Sequence, residues 1–172
     1  MKTENILIDL ESTGFNLNDK ISCICGINIA TKERFSFYGI DEHKIITSFW
    51  DMLNKPQLTT APKLYGFNTD SFDIPFLLKR SIINNIKVTQ FTSVDIRKIL
   101  NGFFYSYEKK VSGTLSDWAE ALGLPRSHIL GSEMPQLYYD KKFDEICAHC
   151  NEDVNMTLTL IERLINVGLL KI

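Results

Sequence analysis

Four acidic residues stand where a carboxylate is costly. Asp9 and Glu11 close the apolar run Ile6-Leu7-Ile8 and, two residues apart on a strand, project to the same side of it. Asp73 opens a helix just after a short strand ending at Asn68. Asp153 lies at the edge of the apolar stripe of a long C-terminal helix. Taken singly, each has an ordinary explanation as a strand exit, a helix N-terminal charge or a solvated surface acid. Taken together, they would converge near a core, and clustered carboxylates repel one another unless cations neutralise them. An all-oxygen ligand set favours Mg²⁺ or Mn²⁺ over zinc. Two such ions about 3.5–4 Å apart can activate a water and stabilise a leaving oxyanion during phosphodiester cleavage.

The elements that position these acids are legible from periodicity. Ile21 to Ala30 alternates Ile21, Cys23, Cys25, Ile27 and Ile29, and Arg34 to Tyr38 alternates again after a polar turn. With the first run they predict a three-strand antiparallel meander. Ile45, Ile46, Phe49, Trp50 and Leu53 recur at helical spacing. A strand is expected over Lys63 to Asn68, a helix from about Phe72 to Asn84 with Pro75 in its first turn, and a strand over Val88 to Ile96. Leu115 to Leu122 reads as a short helix with Thr114 or Ser116 at its start and Gly123-Leu124-Pro125 at its stop. The last helix runs from about Phe143 to Val167. This order predicts an α/β domain over residues 1–172, a mixed sheet flanked by helices.

The spacing of the acids carries a resemblance. Asp9-Leu10-Glu11-Ser12-Thr13-Gly14 resembles the first motif, Asp-x-Glu-Thr-Thr-Gly, of the DEDD (DnaQ-like) superfamily of 3′→5′ exonucleases. Gly66-Phe67-Asn68-Thr69-Asp70-Ser71-Phe72-Asp73 is similar to the second motif, Asn-x-x-x-Phe-Asp, most of all to its form in the proofreading domains of family B DNA polymerases. His149-Cys150-Asn151-Glu152-Asp153 sits where the third motif belongs, so the resemblance spans Ile6 to Leu164. It implies a ribonuclease H-like fold with a five-stranded mixed sheet. It also implies two divalent cations, Mg²⁺ or Mn²⁺, held by Asp9, Glu11, Asp73 and Asp153. The implied reaction is hydrolytic release of 5′-monophosphates from the 3′ end of a single-stranded nucleic acid, DNA favoured and RNA possible. Thr13 and Phe15 follow the first motif where the family contacts the terminal nucleotide, and Asn68 and Phe72 lie beside them. The plainer readings are turn formation for Thr13, loop closure for Asn68, and core packing for Phe15 and Phe72.

The third motif departs from the family. One branch has Tyr-x-x-x-Asp and the other His-x-x-x-x-Asp; this chain has His149 with three residues before Asp153. Four apart on a helix, the two side chains share a face. An imidazole titrates near 6.5 where a tyrosine titrates near 10, so His149 is expected to accept a proton from the attacking water or to orient it. The plainer reading is a polar contact at a helix edge.

Cys147, His149 and Cys150, with Cys23-x-Cys25 elsewhere, raise a zinc reading. Buried thiols acting as small hydrophobes explain the four cysteines with less machinery. The basic pairs Lys79-Arg80, Lys109-Lys110 and Lys141-Lys142 read as solvated surface that could line an approach to the site. Phe103-Phe104-Tyr105-Ser106-Tyr107-Glu108-Lys109-Lys110 combines aromatics with lysines, as a single-strand platform would, although Phe103 and Phe104 could equally be core.

The balance of 19 basic against 21 acidic residues gives a net charge of −2. That excludes a protein that coats phosphates through a global positive field. It leaves room for one that concentrates positive charge at a metal-filled site. With four cysteines, no basic-then-apolar leader and no apolar run of spanning length, the expectation is a cytoplasmic chain with free thiols and no membrane partner. Two rivals remain at this point: a catalytically silent nucleic-acid-binding or adaptor domain on the same fold, and a ribonuclease H-like endonuclease.

Overall fold

The structure is a computed structural model; it describes residues 4–54, 60–104, 113–125 and 129–172, with Phe104 described in its backbone alone. Strands β1 (Asn5–Ser12), β2 (Ile21–Asn28) and β3 (Arg34–Tyr38) form the predicted antiparallel meander. β4 (Lys63–Gly66) pairs parallel to β1 on its other side, and β5 (Thr92–Asp95) pairs parallel to β4. The sheet order is β3-β2-β1-β4-β5, a five-stranded mixed sheet. Helix α1 (Glu42–Leu53) starts at Asp41, whose carboxylate accepts the Lys44 N–H at 3.1 Å. Helices α2 (Asp73–Ile83), α3 (Ile96–Phe104), α4 (Leu115–Ala121), α5 (Met134–Tyr139) and α6 (Phe143–Asn166) complete the fold.

The alternation of β1 divides the core into two layers. Ile6, Ile8 and Leu10 point to one face and pack with Ile24, Leu64 and the apolar sides of α1 and α2, including Phe49, Trp50 and Leu77. Leu7 points to the other face, among Cys23, Cys25, Tyr65 and the α6 residues Cys150, Val154 and Ile161. Asp9 and Glu11 continue the Leu7 row. The period of two therefore aims both acids at the helix that carries His149 and Asp153.

The strand expected over Val88 to Ile96 is shorter than read. β5 ends at Asp95, and α3 begins at the next residue. Asp95 Oδ1 accepts the N–H groups of Arg97 (2.9 Å) and Lys98 (3.3 Å), so one carboxylate ends the strand and starts the helix. α5, at six residues with Pro135 in its first turn, is too short to show a period in the sequence. β4 ends at a glycine because Thr69 folds back over it, and a Cβ on Gly66 would lie 2.7 Å from the Thr69 Cβ.

The reading of Lys79-Arg80 as solvated surface fails for Arg80, which is buried in an ion pair with Glu42. Lys141 and Lys142 are exposed as expected. Phe103 is 47% exposed and is not core. Tyr105 to Lys110, which include Lys109-Lys110, lie outside the described residues.

Candidate active site

β1, the N-terminus of α2 and one face of α6 meet in a cleft of about 930 Å³ lined by Asp9, Glu11, Asp73, His149 and Asp153. Single ligand atoms of Glu11, His149 and Asp153 lie within 4.8 Å of one another. The Leu10 N–H, between the two β1 acids, donates to Asp73 Oδ1 at 3.1 Å and so draws the start of α2 onto the strand. A register irregularity between Glu11 and Ser12 ends the regular ladder at that point, as bulges beside sites often do.

The electrostatics are those of a cluster short of positive charge. Burial, followed by the charges of Asp73, Asp153 and Glu11, pushes the Asp9 carboxyl well above its ordinary range. Burial and then Asp153 and Asp73 do the same to Glu11. Asp73 is pushed up to about 7, mainly by burial, against the lowering effect of backbone N–H donors. Asp153 is raised by burial, and His149 works in the other direction. His149 Nε2 lies 3.5 Å from Glu11 Oε1. Asp9 Oδ2 is buried and accepts no hydrogen bond. Such an orphan normally carries a cost of about 1–3 kcal/mol or more.

The residues expected to contact substrate divide. Phe15 is 80% exposed, lines the cleft and packs edge-on against Phe72, with ring centroids 5.3 Å apart. Neither the exposure nor the location fits a core role for Phe15. Asn68 also lines the cleft, held at φ 62°, its N–H donating to Asp95 Oδ1 and its Oδ1 accepting from Arg97. Thr13 does not line it. Its Oγ1 accepts the Lys20 N–H at 2.9 Å and its own N–H donates to the Lys20 carbonyl, so it closes the β1–β2 connection as a turn former.

Two supports escaped the sequence reading. Asp95, almost fully buried, accepts the N–H groups of Asn68 and Asp70 as well as those of α3, and thereby fixes the loop that carries Asn68 toward Asp73. Its signal was an acid directly ahead of apolar residues at helical spacing (Ile96, Ile99, Leu100). The second support is the Glu42–Arg80 pair. Arg80 Nε and Nη2 contact the two carboxylate oxygens of Glu42 at 2.7 and 2.6 Å, while Nη1 donates to the Leu17 carbonyl. Lys79 Nζ donates to the Asn16 carbonyl. Together they tether the connection that presents Phe15. The far wall of the cleft, Ile129 to Ser132 with Ser116 and Pro135, carries no motif that would have marked it.

A family model described as RNase_H superfamily matches residues 6–165. The chain belongs to the RNase_H superfamily. It is 31% identical over 178 aligned positions to the uncharacterized protein MJ0365 of Methanocaldococcus jannaschii, covering 96% of this chain and 97% of that protein. Among solved structures it is similar to product-bound exonuclease I, with a TM-score of 0.63 and 12% identity over 96% of this chain. It spans 44% of that chain, and the likeness is one of fold. The mixed sheet with helices on both faces is the ribonuclease H-like arrangement that the motifs implied.

The donor set of this RNase_H superfamily member fits hard divalent cations. Four carboxylates supply oxygen, one of those oxygens is buried without a partner, and burial raises all four acids, with repulsion from their neighbours adding to it. Among the described residues, no helix is long and apolar enough to cross a membrane.

Proposed function

We propose that the chain is a two-metal 3′→5′ exonuclease of the DEDD type, acting on single-stranded ends with DNA favoured over RNA. The observation that carries this reading is the unpartnered Asp9 Oδ2 within four acids that line one cleft together with His149. Asp9, Glu11, Asp73 and Asp153 would hold Mg²⁺ or Mn²⁺, which when bound supply the positive charge that phosphodiester hydrolysis needs at the attacking and leaving oxygens.

The chain's own side chains do the rest. His149 Nε2 stands in the cleft beside Glu11 and takes the proton of the attacking water, a role its position four residues before Asp153 makes possible. Phe15 and Phe72 offer aromatic surface to the terminal base, and the Asn68 loop borders the same space. A silent adaptor on this fold would carry the cost of unpaired buried acids without any return. Free rotation of a single-stranded end into an open cleft also suits an exonuclease better than an endonuclease.

The test is a Mg²⁺- or Mn²⁺-dependent assay on 5′-labelled single-stranded DNA and RNA of matched sequence, with a circular substrate alongside. The expected result is a one-nucleotide ladder from the 3′ end, an intact circle, and no cleavage in excess chelator. Cutting of the circle would point to the endonuclease, and binding without cleavage to the adaptor.

A further inference from the structure

Beside the acid cluster, on the same face of the sheet, the structure assembles all four cysteines. Cys23 and Cys25 are two apart on β2, directly opposite Glu11 and Asp9 in the ladder, and both point to the α6 face. Cys147 and Cys150, one turn apart, descend onto them from α6. The Cys23 and Cys25 sulfurs are 3.4 Å apart, and the Cys25 and Cys147 sulfurs 3.8 Å. The sulfurs of Cys23, Cys25 and Cys150 lie within 4.8 Å of one another. Cys147, half-buried, stands outside that trio and reaches it through Cys25. His149, by contrast, faces Glu11 and takes no part, whereas Cys150 borders the acid cluster as well, its sulfur within 4.8 Å of carboxylate oxygens of Asp9 and Glu11.

These spacings are those of a tetrahedral ion. Zinc–sulfur bonds near 2.3 Å place the corners of the tetrahedron about 3.8 Å apart. Isolated hydrophobic thiols could be scattered through a core; here three sulfurs converge and a fourth, that of Cys147, lies 3.8 Å from one of them, from a strand that supplies Cys-x-Cys and a helix that supplies Cys-x-x-Cys. The surroundings include donors suited to thiolate sulfur. Asn151 Nδ2 lies 3.2 Å from the Cys25 sulfur and 3.4 Å from that of Cys147, and Ser36 Oγ accepts from the Cys25 thiol at 3.3 Å, a hydroxyl free to turn and donate once that proton leaves. Polar partners of this kind orient metal ligands and offset their charge.

We propose that Cys23, Cys25, Cys147 and Cys150 form a tetrathiolate site for one Zn²⁺ ion, which clamps α6 to β2 beside the candidate active site. Zn²⁺ replaces the four thiol protons, which leave to solvent. Cys150 gives up its present hydrogen bond to the Asp9 carbonyl, at 3.3 Å, in exchange for the metal. The ion then joins the strand paired with Asp9 and Glu11 to the helix bearing His149 and Asp153, and it holds the two halves of the acid cluster in register. Thiolate and carboxylate sites select different metals, zinc at the cysteines and Mg²⁺ or Mn²⁺ at the acids.

The reduced, full-length chain, stripped with chelator and then saturated with Mg²⁺, is titrated with Co²⁺ and followed by absorption spectroscopy. The expected result is one equivalent of cobalt with sulfur-to-cobalt charge-transfer bands and the strong visible bands of a tetrahedral site. One equivalent of Zn²⁺ should abolish both. Oxygen ligands give no charge-transfer band of this kind, so Asp153→Asn should leave the spectrum unchanged, whereas Cys25→Ser and Cys150→Ser should each weaken and shift it, and a variant with all four cysteines replaced by serine should lack it. A folded, reduced wild-type chain without these bands at excess Co²⁺ would overturn the proposal, whether or not the serine variants fold. So would bands of undiminished intensity in both single serine variants. The readout is independent of nuclease activity, so the two readings stand or fall separately.

Discussion

Glu42 and the Asp9–Glu11–Asp73–Asp153 group are acids withdrawn from water on either side of the β1–β2 connection, and the chain treats them oppositely. Burial alone would raise Glu42, but hydrogen bonds from Arg80, the Ile21 N–H and Asn84 overcome it and hold the carboxyl below its ordinary range. Every oxygen of that carboxylate is met by a donor. In the cleft, among the described residues, no Lys or Arg pairs with the four acids; His149 is the one base beside them, and burial, with repulsion from neighbouring acids, raises all four. The difference separates a carboxylate used as a structural bolt from carboxylates kept for cations that arrive from solution. A buried charge supplied with its partner fixes geometry. One left without a partner marks where a ligand belongs.

The largest effects are expected on the cleft side. Asp9→Asn or Asp153→Asn should lower turnover on single-stranded substrate by about 10³-fold or more, with an unchanged far-ultraviolet circular dichroism spectrum. Retained activity in either variant would remove that acid from the reacting set. On the other side, Arg80→Ala leaves Glu42 buried without its cation and should cost about 3–5 kcal/mol in denaturant unfolding. Replacing both partners with apolar residues of similar size, Glu42→Leu with Arg80→Met, should recover most of it. No such apolar rescue should restore activity in the cleft.

A smaller effect is expected at His149. His149→Ala should lower kcat by about 10²-fold at metal saturation and remove the acidic limb of the pH–rate profile, since the base must be unprotonated to act. An unchanged rate and profile would assign the residue to packing. The smallest effect belongs to the rim. Phe15→Ala removes an exposed stacking surface and should raise KM by a factor equivalent to about 1–3 kcal/mol per base, with kcat nearly constant.

The two regions also differ in how much of them could be read from residue order. Asp9 and Glu11 were legible because their spacing and the apolar run before them fix a strand face, and Asp153 because a 24-residue helix shows its stripe. The thiols could be assigned to buried faces, Cys23 and Cys25 by alternation, Cys150 by the stripe; their convergence is a product of how α6 lies on β2. Glu42 and Arg80 are 38 positions apart and meet only through the packing of α1 against α2, so Arg80 looked like one half of an exposed basic pair. Asp95 was hidden for a different reason. A strand and a helix abut there without a polar spacer, and the apolar residues of both merged into one apparent strand. Thr13 shows the converse: its motif position suggested the substrate, but its hydroxyl is used within the turn.

The acid cluster and the ion pair should respond to pH with opposite signs. Raised carboxyls in the native state bind protons that the unfolded chain has released. Their contribution to stability is therefore full below about pH 4 and is lost as pH rises toward 7, through the folded value of Asp73. Glu42, lowered in the native state, contributes above its unfolded value and loses that contribution as pH falls through the folded one. Cations that fill the cleft should cancel the first trend and leave the second untouched.

The most direct measurement is thus the melting temperature of the chain with and without saturating Mn²⁺, at pH 5 and pH 8, for the wild type and for Asp9→Asn with Asp153→Asn. The account predicts a large Mn²⁺-induced rise at pH 8, a small one at pH 5, and neither in the double variant. An equal rise at both pH values, a rise that survives the double substitution, or no rise in the wild type would contradict it.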